Sequence, residues 1–212
     1  MVGGIRGPFS STWMLMGLTQ MSFLLFDDPA LLTDIFKTTT DFWASVGLHL
    51  LEAGVDAIVI HDDLGSNTAT FFDPESLRQY HLPHLQRLVQ TLTRAGAPVI
   101  FHSCGNIKAV LPDVVATGIS GLNNLQRAAQ MDIAAVKAAY GAKLCLIGNV
   151  DATNVMPTAT PAEVEQAVQA CLQIGAPGGG YILATDHSFH EGIPLENVYA
   201  FIEAGKKYGR YD

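Results

Sequence analysis

A histidine and a cysteine two residues apart, His102 and Cys104, are the side chains of this sequence best suited to chemistry. They follow a short run of β-forming residues, Val99 to Phe101, and they precede a Gly-Asn turn. Residues i and i+2 of a strand point to the same face, so the imidazole and the thiol project side by side. One imidazole and one thiolate make up half of a zinc site. The spacing therefore predicts a metal site at the carboxyl end of this strand.

Polar side chains also stand at the ends of other predicted strands. Asp62 and Asp63 follow a buried apolar run, so at least one carboxylate is expected to face the carboxyl end of the sheet. Its role there is either to cap the next segment or to orient a metal ligand or bind substrate. Asn149 and Asp151 share a face, which suits hydrogen bonds to a substrate or the fixing of a loop. Arg6 is the one arginine near a predicted strand end.

The other cysteines and two of the histidines are predicted to be structural. His81 and His84 flank a proline at a helix start, and we expect both on the surface. Cys145 lies in a predicted strand and Cys171 on the apolar face of a predicted helix, which places both in the core.

These residues belong to a chain in which strand-like and helix-like segments alternate. Strands are predicted at Gly3–Pro8, Ala57–Ile60, Pro98–Phe101, Gly121–Leu125, Leu144–Ile147 and Tyr181–Ala184. Helices are predicted at 11–26, 29–53 (with Asp28 as its N-cap and Pro29 at its first position), 82–94, 107–117, 132–140, 161–175 and 194–208, with a further helix start at Asp73-Pro74. Strict alternation favours a parallel sheet with helices outside. Because a complete (β/α)8 barrel has eight units, six units predict either an open sheet or a barrel that lacks two units.

Composition excludes several classes of protein. The chain has 212 residues, of which 49% are hydrophobic and 15% charged, so one folded domain is expected. A net charge of −8 argues against a nucleic-acid or anionic-membrane partner. The apolar stretch Trp13–Phe26 is too short to span a bilayer. Three scattered cysteines and no visible signal peptide predict a reducing cytoplasm.

Six sequence blocks, taken together and in order, carry a resemblance to a known family. They are Ile5–Phe9, Ala53–Asp63, Phe101–Asn106, Gly148–Asp151, Gly179–Leu183 and Ile193–Val198. The chain resembles the uroporphyrinogen decarboxylase superfamily, and most closely its cobalamin-dependent methyltransferase branch. The resemblance implies a distorted (β/α)8 TIM-barrel-like fold truncated to about six units. Residues 1–212 would then be a single domain that forms the C-terminal two thirds of the family barrel.

The resemblance also implies a metal and its ligands. The methyltransferase branch holds zinc with a His-x-Cys pair and with a cysteine at the end of the last strand. His102 and Cys104 match the pair, and His187 stands where the last cysteine would be. Imidazole is an acceptable zinc ligand, so Zn²⁺ held by these three residues is the expected cofactor. Asp186, Asp62 or water would supply the fourth position.

The leading functional expectation is methyl transfer with a corrinoid carried by a separate partner protein. The methyl group would move to or from a small thiol or a methoxylated compound. Asp62 and Asp63 would be the catalytic carboxylates, and Asn149, Asp151 and Arg6 would bind substrate.

Two alternatives stay open. Uroporphyrinogen decarboxylation needs no metal, but it needs cationic side chains for several carboxylates, and the chain has 12 Lys and Arg residues. A non-catalytic barrel remnant is the other alternative. Its exposed sheet edges would need a cover, such as the second chain of a homodimer.

Overall fold

The structure is a computed structural model that describes residues 1–211 and divides into two compact units. The first unit is Met1–Gly121 and the second begins at Leu122. Six strands occur in the described residues: β1 (Val2–Arg6), β2 (Ala57–His61), β3 (Val99–His102), β4 (Gly121–Asn123), β5 (Cys145–Val150) and β6 (Tyr181–Thr185). They alternate with helices α1 (Pro8–Met16), α2 (Leu18–Asp27), α3 (Pro29–Glu52), α4 (Pro74–Ser76), α5 (Leu82–Arg94), α6 (Leu111–Ala116), α7 (Ile133–Tyr140), α8 (Val155–Thr158), α9 (Pro161–Gly175) and α10 (Leu195–Tyr208). All six predicted strands are confirmed, within a few residues at their ends.

The sheet of the first unit brings three strand ends into register. β1 pairs parallel with β2, and β2 pairs parallel with β3. Arg6 is aligned with His61, and His61 is aligned with His102. The carboxyl ends of these strands therefore meet at one edge, where the predicted metal pair lies.

The second unit has the same parallel pairing. β5 pairs with β6, with Asn149 opposite Ala184 and Val150 opposite Thr185. Helix α9 packs against β5 and against α10. A Thr160–Glu163 capping box begins α9, in which the Thr160 side chain accepts from the backbone N–H of Glu163 and the Glu163 carboxylate accepts in return.

Burial along β2 differs from the prediction. The apolar run predicts a strand that is buried on both faces, but residues 57–60 alternate between half-buried and buried, and His61 is exposed. Ile58 and Ile60 are fully buried, and Val59 is half-buried. Burial of each isoleucine contributes about 1.5–3 kcal/mol relative to exposure. One face of this strand thus carries the core of the unit.

The N-terminal helices confirm one boundary and correct another. Asp28 caps α3 as predicted, because its side chain accepts a 3.0 Å hydrogen bond from the backbone N–H of Leu31. The single helix predicted over 11–26 is wrong, since Gly17 breaks it into α1 and α2. Gly17 has a φ of +85°, which ends a helix at little cost only for glycine.

A π-helical turn, Leu77–His81, joins α4 to α5. The helix start predicted at Asp73-Pro74 and the helix predicted from residue 82 therefore belong to one continuous segment. His81 is its last residue and is fully buried, which contradicts its predicted surface position. His84 is half-buried rather than exposed. The physical reason for His81 is periodicity: it lies four residues before the buried Leu85, on the same face of the helix.

Within the described part of the chain, no helix is both long enough and apolar enough to cross a membrane.

We expect Gly7→Ala to destabilise the fold strongly. A Cβ atom at Gly7 would lie 2.1 Å from the carboxyl carbon of Asp62, which is buried and hydrogen-bonded and cannot move cheaply. Overpacking of this kind costs about 1–3 kcal/mol. The measurement is urea unfolding of the variant against wild type. Gly4→Ala is the matched control, because the added Cβ there would lie 3.3 Å from the end of the His61 side chain. Equal midpoints for the two variants would contradict the expectation.

Candidate metal centre

The predicted pair forms at the end of β3. Nε2 of His102 lies 3.6 Å from Sγ of Cys104, and both side chains are half-buried. The strand register fixes this position, since the backbone N–H of Asp62 donates a 2.8 Å hydrogen bond to the carbonyl of His102. The i and i+2 spacing thus places the two donor atoms together, as the sequence predicts.

Asp63 adds a third donor to the pair. Its Oδ1 accepts a 2.7 Å hydrogen bond from the backbone N–H of Cys104 and lies 3.7 Å from Nε2 of His102. Carboxylate, imidazole and thiol donor atoms all lie within 4.8 Å of one another. We call Asp63, His102 and Cys104 the metal group.

The spacing in the metal group fits zinc. Bonds of about 2.0–2.1 Å to nitrogen and 2.3 Å to sulfur at tetrahedral angles separate the two atoms by roughly 3.6 Å. The observed 3.6 Å between His102 and Cys104 matches that separation. A carboxylate, an imidazole and a thiolate are all accepted zinc ligands, and three protein ligands leave a position for substrate.

Two loops support the metal group from behind. The backbone N–H of Leu64 donates a 3.0 Å hydrogen bond to Oγ of the buried Ser103. Gly105 has a φ of +85°, and a Cβ there would lie 2.1 Å from the carbonyl oxygen of Gly65. The loops after β2 and β3 therefore pack backbone to backbone, which holds Asp63 and Cys104 at a fixed separation.

Asp62, predicted to be catalytic, is fully buried beneath Asp63. Its Oδ1 accepts from the backbone N–H of Ser10 at 2.7 Å, and its Oδ2 lies 2.7 Å from Nε2 of His81. Both oxygens are thus engaged within the protein, and the side chain that belongs to the metal group is that of Asp63.

His61 and Arg6 flank the metal group. The ring centroid of His61 lies 5.0 Å from that of His102. Burial lowers the pKa of His61 below its ordinary 6.5, and the charge of His102 lowers it further. The neutral imidazole is therefore favoured. Arg6, predicted to bind substrate, is exposed at the end of β1.

Asn149 is buried in the second unit. Its Nδ2 donates to the carbonyls of Leu125 at 3.0 Å and Met131 at 3.3 Å. Its Oδ1 accepts from Sγ of Cys171 at 3.7 Å. These contacts fix a loop, one of the two roles that the sequence left open for Asn149.

The two other cysteines lie in the second unit. Cys171 is buried as predicted, and Cys145 is half-buried. Burial raises the pKa of both thiols above the ordinary 9.0, which keeps them protonated and unreactive.

Asp151 and Asp186 accept backbone hydrogen bonds. Oδ1 of Asp151 accepts from the N–H groups of Thr153 and Asn154 at 2.8 and 2.7 Å, so Asp151 caps the loop before α8. The fully buried Asp186 accepts from the backbone N–H groups of Arg127 and Ala152, each at 2.8 Å. Burial raises the pKa of Asp186 above its ordinary 3.8.

His187 lies two residues after the end of β6 and is exposed. Its backbone carbonyl accepts a 2.6 Å hydrogen bond from Oγ1 of Thr185. Its role as the third zinc ligand stays a prediction.

Two features were not foreseen from the residues. Asp63 was expected to be a catalytic or orienting carboxylate rather than a member of the donor set itself. His81 was expected on the surface, although its spacing from Leu85 could have indicated burial.

Comparisons with known proteins define the class first. The chain resembles a solved methyltransferase from Methanosarcina mazei with a TM-score of 0.83, at 23% identity, over 99% of this chain and 59% of that one. The fold is thus α/β and TIM-barrel-like, with six of the β/α units, as the sequence predicts. The model of the uroporphyrinogen decarboxylase (URO-D) family matches residues 1–208, and the chain belongs to this family.

Curated relatives that are decarboxylases and curated relatives that are methyltransferases both match the chain. A uroporphyrinogen decarboxylase of Pseudoalteromonas atlantica is 28% identical over 221 residues, covering 98% of this chain and 59% of the relative. A methylcobamide:CoM methyltransferase of Methanosarcina barkeri is 26% identical over 211 residues, covering 98% of this chain and 58% of the relative. The chain therefore spans somewhat more than half the length of these relatives.

Acid should remove the stabilising effect of Asp151. Burial alone would raise its pKa, but hydrogen bonds from Asn154 and Thr153 outweigh burial and lower the pKa below its ordinary 3.8. A depressed pKa gives stability that is present above pH 3.8 and is lost as the pH falls through the folded-state pKa. We expect Asp151→Ala to cost about 2 kcal/mol at pH 7, because hydrogen bonds to a charged group are lost. Urea unfolding from pH 7 to pH 2.5 measures this, and the gap to wild type should shrink below pH 3.8. A gap that stays constant would show that the charge plays no part.

Proposed function

We propose that the chain is the metal-binding part of a zinc-dependent methyltransferase that acts with a corrinoid. The convergence of Asp63, His102 and Cys104 into one donor group carries the proposal. The group lies at the carboxyl ends of parallel strands, which is where α/β barrels place their active sites.

The relatives support methyl transfer to sulfur. The name of the Methanosarcina barkeri relative specifies a methylcobamide and CoM. A thiol acceptor needs a metal or a base that stabilises its thiolate. The metal group offers a place for that metal, and decarboxylation needs none.

Zinc bound in the metal group would act as a Lewis acid that lowers the pKa of a coordinated thiol substrate. The corrinoid would supply the methyl group: a carbon–sulfur bond would form as the cobalt–carbon bond breaks, the bonding electron pair would stay on cobalt, and the thiol proton would leave to solvent. The residues of the chain hold the donors in place: the backbone N–H of Cys104 orients the Asp63 carboxylate, and the loops after β2 and β3 fix its distance from the thiol. With one thiolate among its ligands the site would be a stronger Lewis acid than a site with two.

The further parts of the system follow from this chemistry. The corrinoid would be carried by a separate protein, and the second substrate would be a small thiol or a methoxylated compound. A cytoplasmic location, a homodimeric state, and the lack of nucleic-acid and membrane partners stay predictions.

Elemental analysis of protein supplied with zinc tests the metal group. We expect about one zinc per chain in wild type and little in Cys104→Ser, because a thiolate ligand is lost. Cys145→Ser is the matched control, since that thiol lies outside the metal group. Zinc-free folded wild type, or full zinc in Cys104→Ser, would contradict the proposal.

Two further variants sort the ligands in the same assay. Loss of most of the bound zinc in Asp63→Asn would support Asp63 as a ligand. Loss in His187→Ala would support His187 as a ligand, and full retention there would remove it from the set.

Uroporphyrinogen decarboxylase is the second candidate, because a curated relative of that name is 28% identical to the chain. Decarboxylation would proceed without metal, so a chelator should leave it unchanged. We expect that the purified protein does not turn over uroporphyrinogen. We expect instead that it transfers methyl groups from methylcobalamin to a thiol, and that a chelator abolishes this transfer. Chromatography measures the loss of carboxyl groups from uroporphyrinogen. If that loss occurs and a chelator does not prevent it, decarboxylation becomes the preferred function.

A further inference from the structure

A buried acid–histidine pair lies behind the metal group. Oδ2 of Asp62 lies 2.7 Å from Nε2 of His81, and neither side chain is exposed. The two residues are 19 positions apart, so the fold rather than local sequence brings them together. Stability alone is a weak explanation for a buried pair of this kind, because apolar residues of similar size often serve as well.

The His81 ring lies in an aromatic pocket. Its ring packs edge-on against Phe9 and Phe36, at centroid distances of 5.9 and 6.0 Å. Its other ring nitrogen, Nδ1, is buried and has no hydrogen-bond partner among residues 1–211. An apolar side chain at position 81 would remove this unsatisfied nitrogen but would leave Oδ2 of the buried Asp62 without its partner. The contact with Asp62 is therefore what the imidazole contributes.

A short chain of hydrogen bonds connects this pair to the metal group. The backbone N–H of Ser10 donates to Oδ1 of Asp62 at 2.7 Å. The Ser10 hydroxyl accepts from the backbone N–H of Asp63 at 2.8 Å. Asp63 in turn accepts from the backbone N–H of Cys104 at 2.7 Å. The orientation of Asp62 thus sets the place of the carboxylate in the metal group.

A second connection runs through the main chain. The backbone N–H of Asp62 donates to the carbonyl of His102 at 2.8 Å. The residues that supply the carboxylate and the imidazole of the metal group are therefore both tied to Asp62. Groups that hydrogen-bond to a metal ligand commonly change the affinity for the metal by about 10–100-fold, and the Ser10 hydroxyl is such a group for Asp63.

We propose that His81 is a positioning residue of the metal centre: by holding Asp62, it fixes Ser10 and Asp63 and so sets how tightly the centre binds a divalent metal. The inference rests on the proposed function, since it concerns the affinity of the same metal group.

Titration with Co²⁺ tests the inference, because cobalt bound to a thiolate absorbs visibly and reports both affinity and ligand geometry. We expect His81→Phe, which keeps an aromatic ring in the aromatic pocket, to weaken Co²⁺ binding about tenfold. His81→Gln keeps a donor for Asp62 and should restore most of the affinity. His84→Phe is the matched control, since His84 also packs against Phe36 but does not contact Asp62. Thermal unfolding of the metal-free proteins reports stability separately.

A second pair of variants covers the case in which His81→Phe does not fold. Ser10→Ala removes the hydroxyl that accepts from Asp63 and leaves the buried pair intact, and it should also weaken Co²⁺ binding. Ser11→Ala is its control, because the Ser11 hydroxyl donates only to the carbonyl of Gly7 within α1. Wild-type affinity and spectrum in folded His81→Phe or in Ser10→Ala would overturn the inference while the metal site stands. Wild type that binds no Co²⁺ would overturn the proposed metal site itself, and the inference with it.

Discussion

A carboxylate taken out of water must find a hydrogen bond for each oxygen, and the arrangement of the first unit follows from how Asp62 meets that requirement. One oxygen accepts a hydrogen bond from the backbone N–H of Ser10 in the first turn of α1. The other contacts Nε2 of His81 at the end of the π-helical turn. The residue before α1 has to be glycine because the carboxyl group occupies the space of its Cβ. Helix, strand and π-helical turn are thus fixed to one another around a single buried side chain.

The metal group inherits its geometry from this arrangement. Its three donors come from two neighbouring strand ends, so the parallel register of β2 and β3 sets their separation before any metal binds. A hydrogen bond from the backbone N–H of Cys104 to the side-chain carboxylate of Asp63 holds the two residues together. A preorganised set of this kind pays little for ordering when the ion arrives. Its half-buried donors still leave room for a substrate.

The parts of the structure that could be predicted from sequence are those set by local rules. Strand spacing places His102 beside Cys104, and Asp28 caps α3, because both depend on residues a few positions apart. The membership of Asp63 in the metal group could not be read from sequence, because it depends on the register of two strands about 40 residues apart. The prediction of a surface position for His81 was wrong, and its partner across the fold has no local signal in the sequence. The fold class followed from strict β/α alternation and was sharpened by family resemblance.

In the second unit, the sequence likewise does not distinguish a substrate-binding residue from one that binds the protein's own loops. Asn149 and Asp151 have the spacing of a substrate-binding pair, yet their polar atoms bind loops of the protein itself. A polar residue at a strand end is equally suited to both uses, and only its contacts distinguish them. The buried Asp186, which the sequence offered as a fourth ligand, likewise has its carboxylate taken up by two backbone N–H groups.

The π-helical turn before α5 makes the buried pair of Asp62 and His81 sensitive to the length of this segment. Such a turn holds one residue more than the α-helix it interrupts, and each residue rotates an α-helix by about 100°. Deleting a single residue from Leu77–His81 would restore an ordinary helix and swing the imidazole away from the carboxylate without changing any amino-acid type at the metal group. A one-residue insertion or deletion in this turn would therefore be enough to make or break the buried pair.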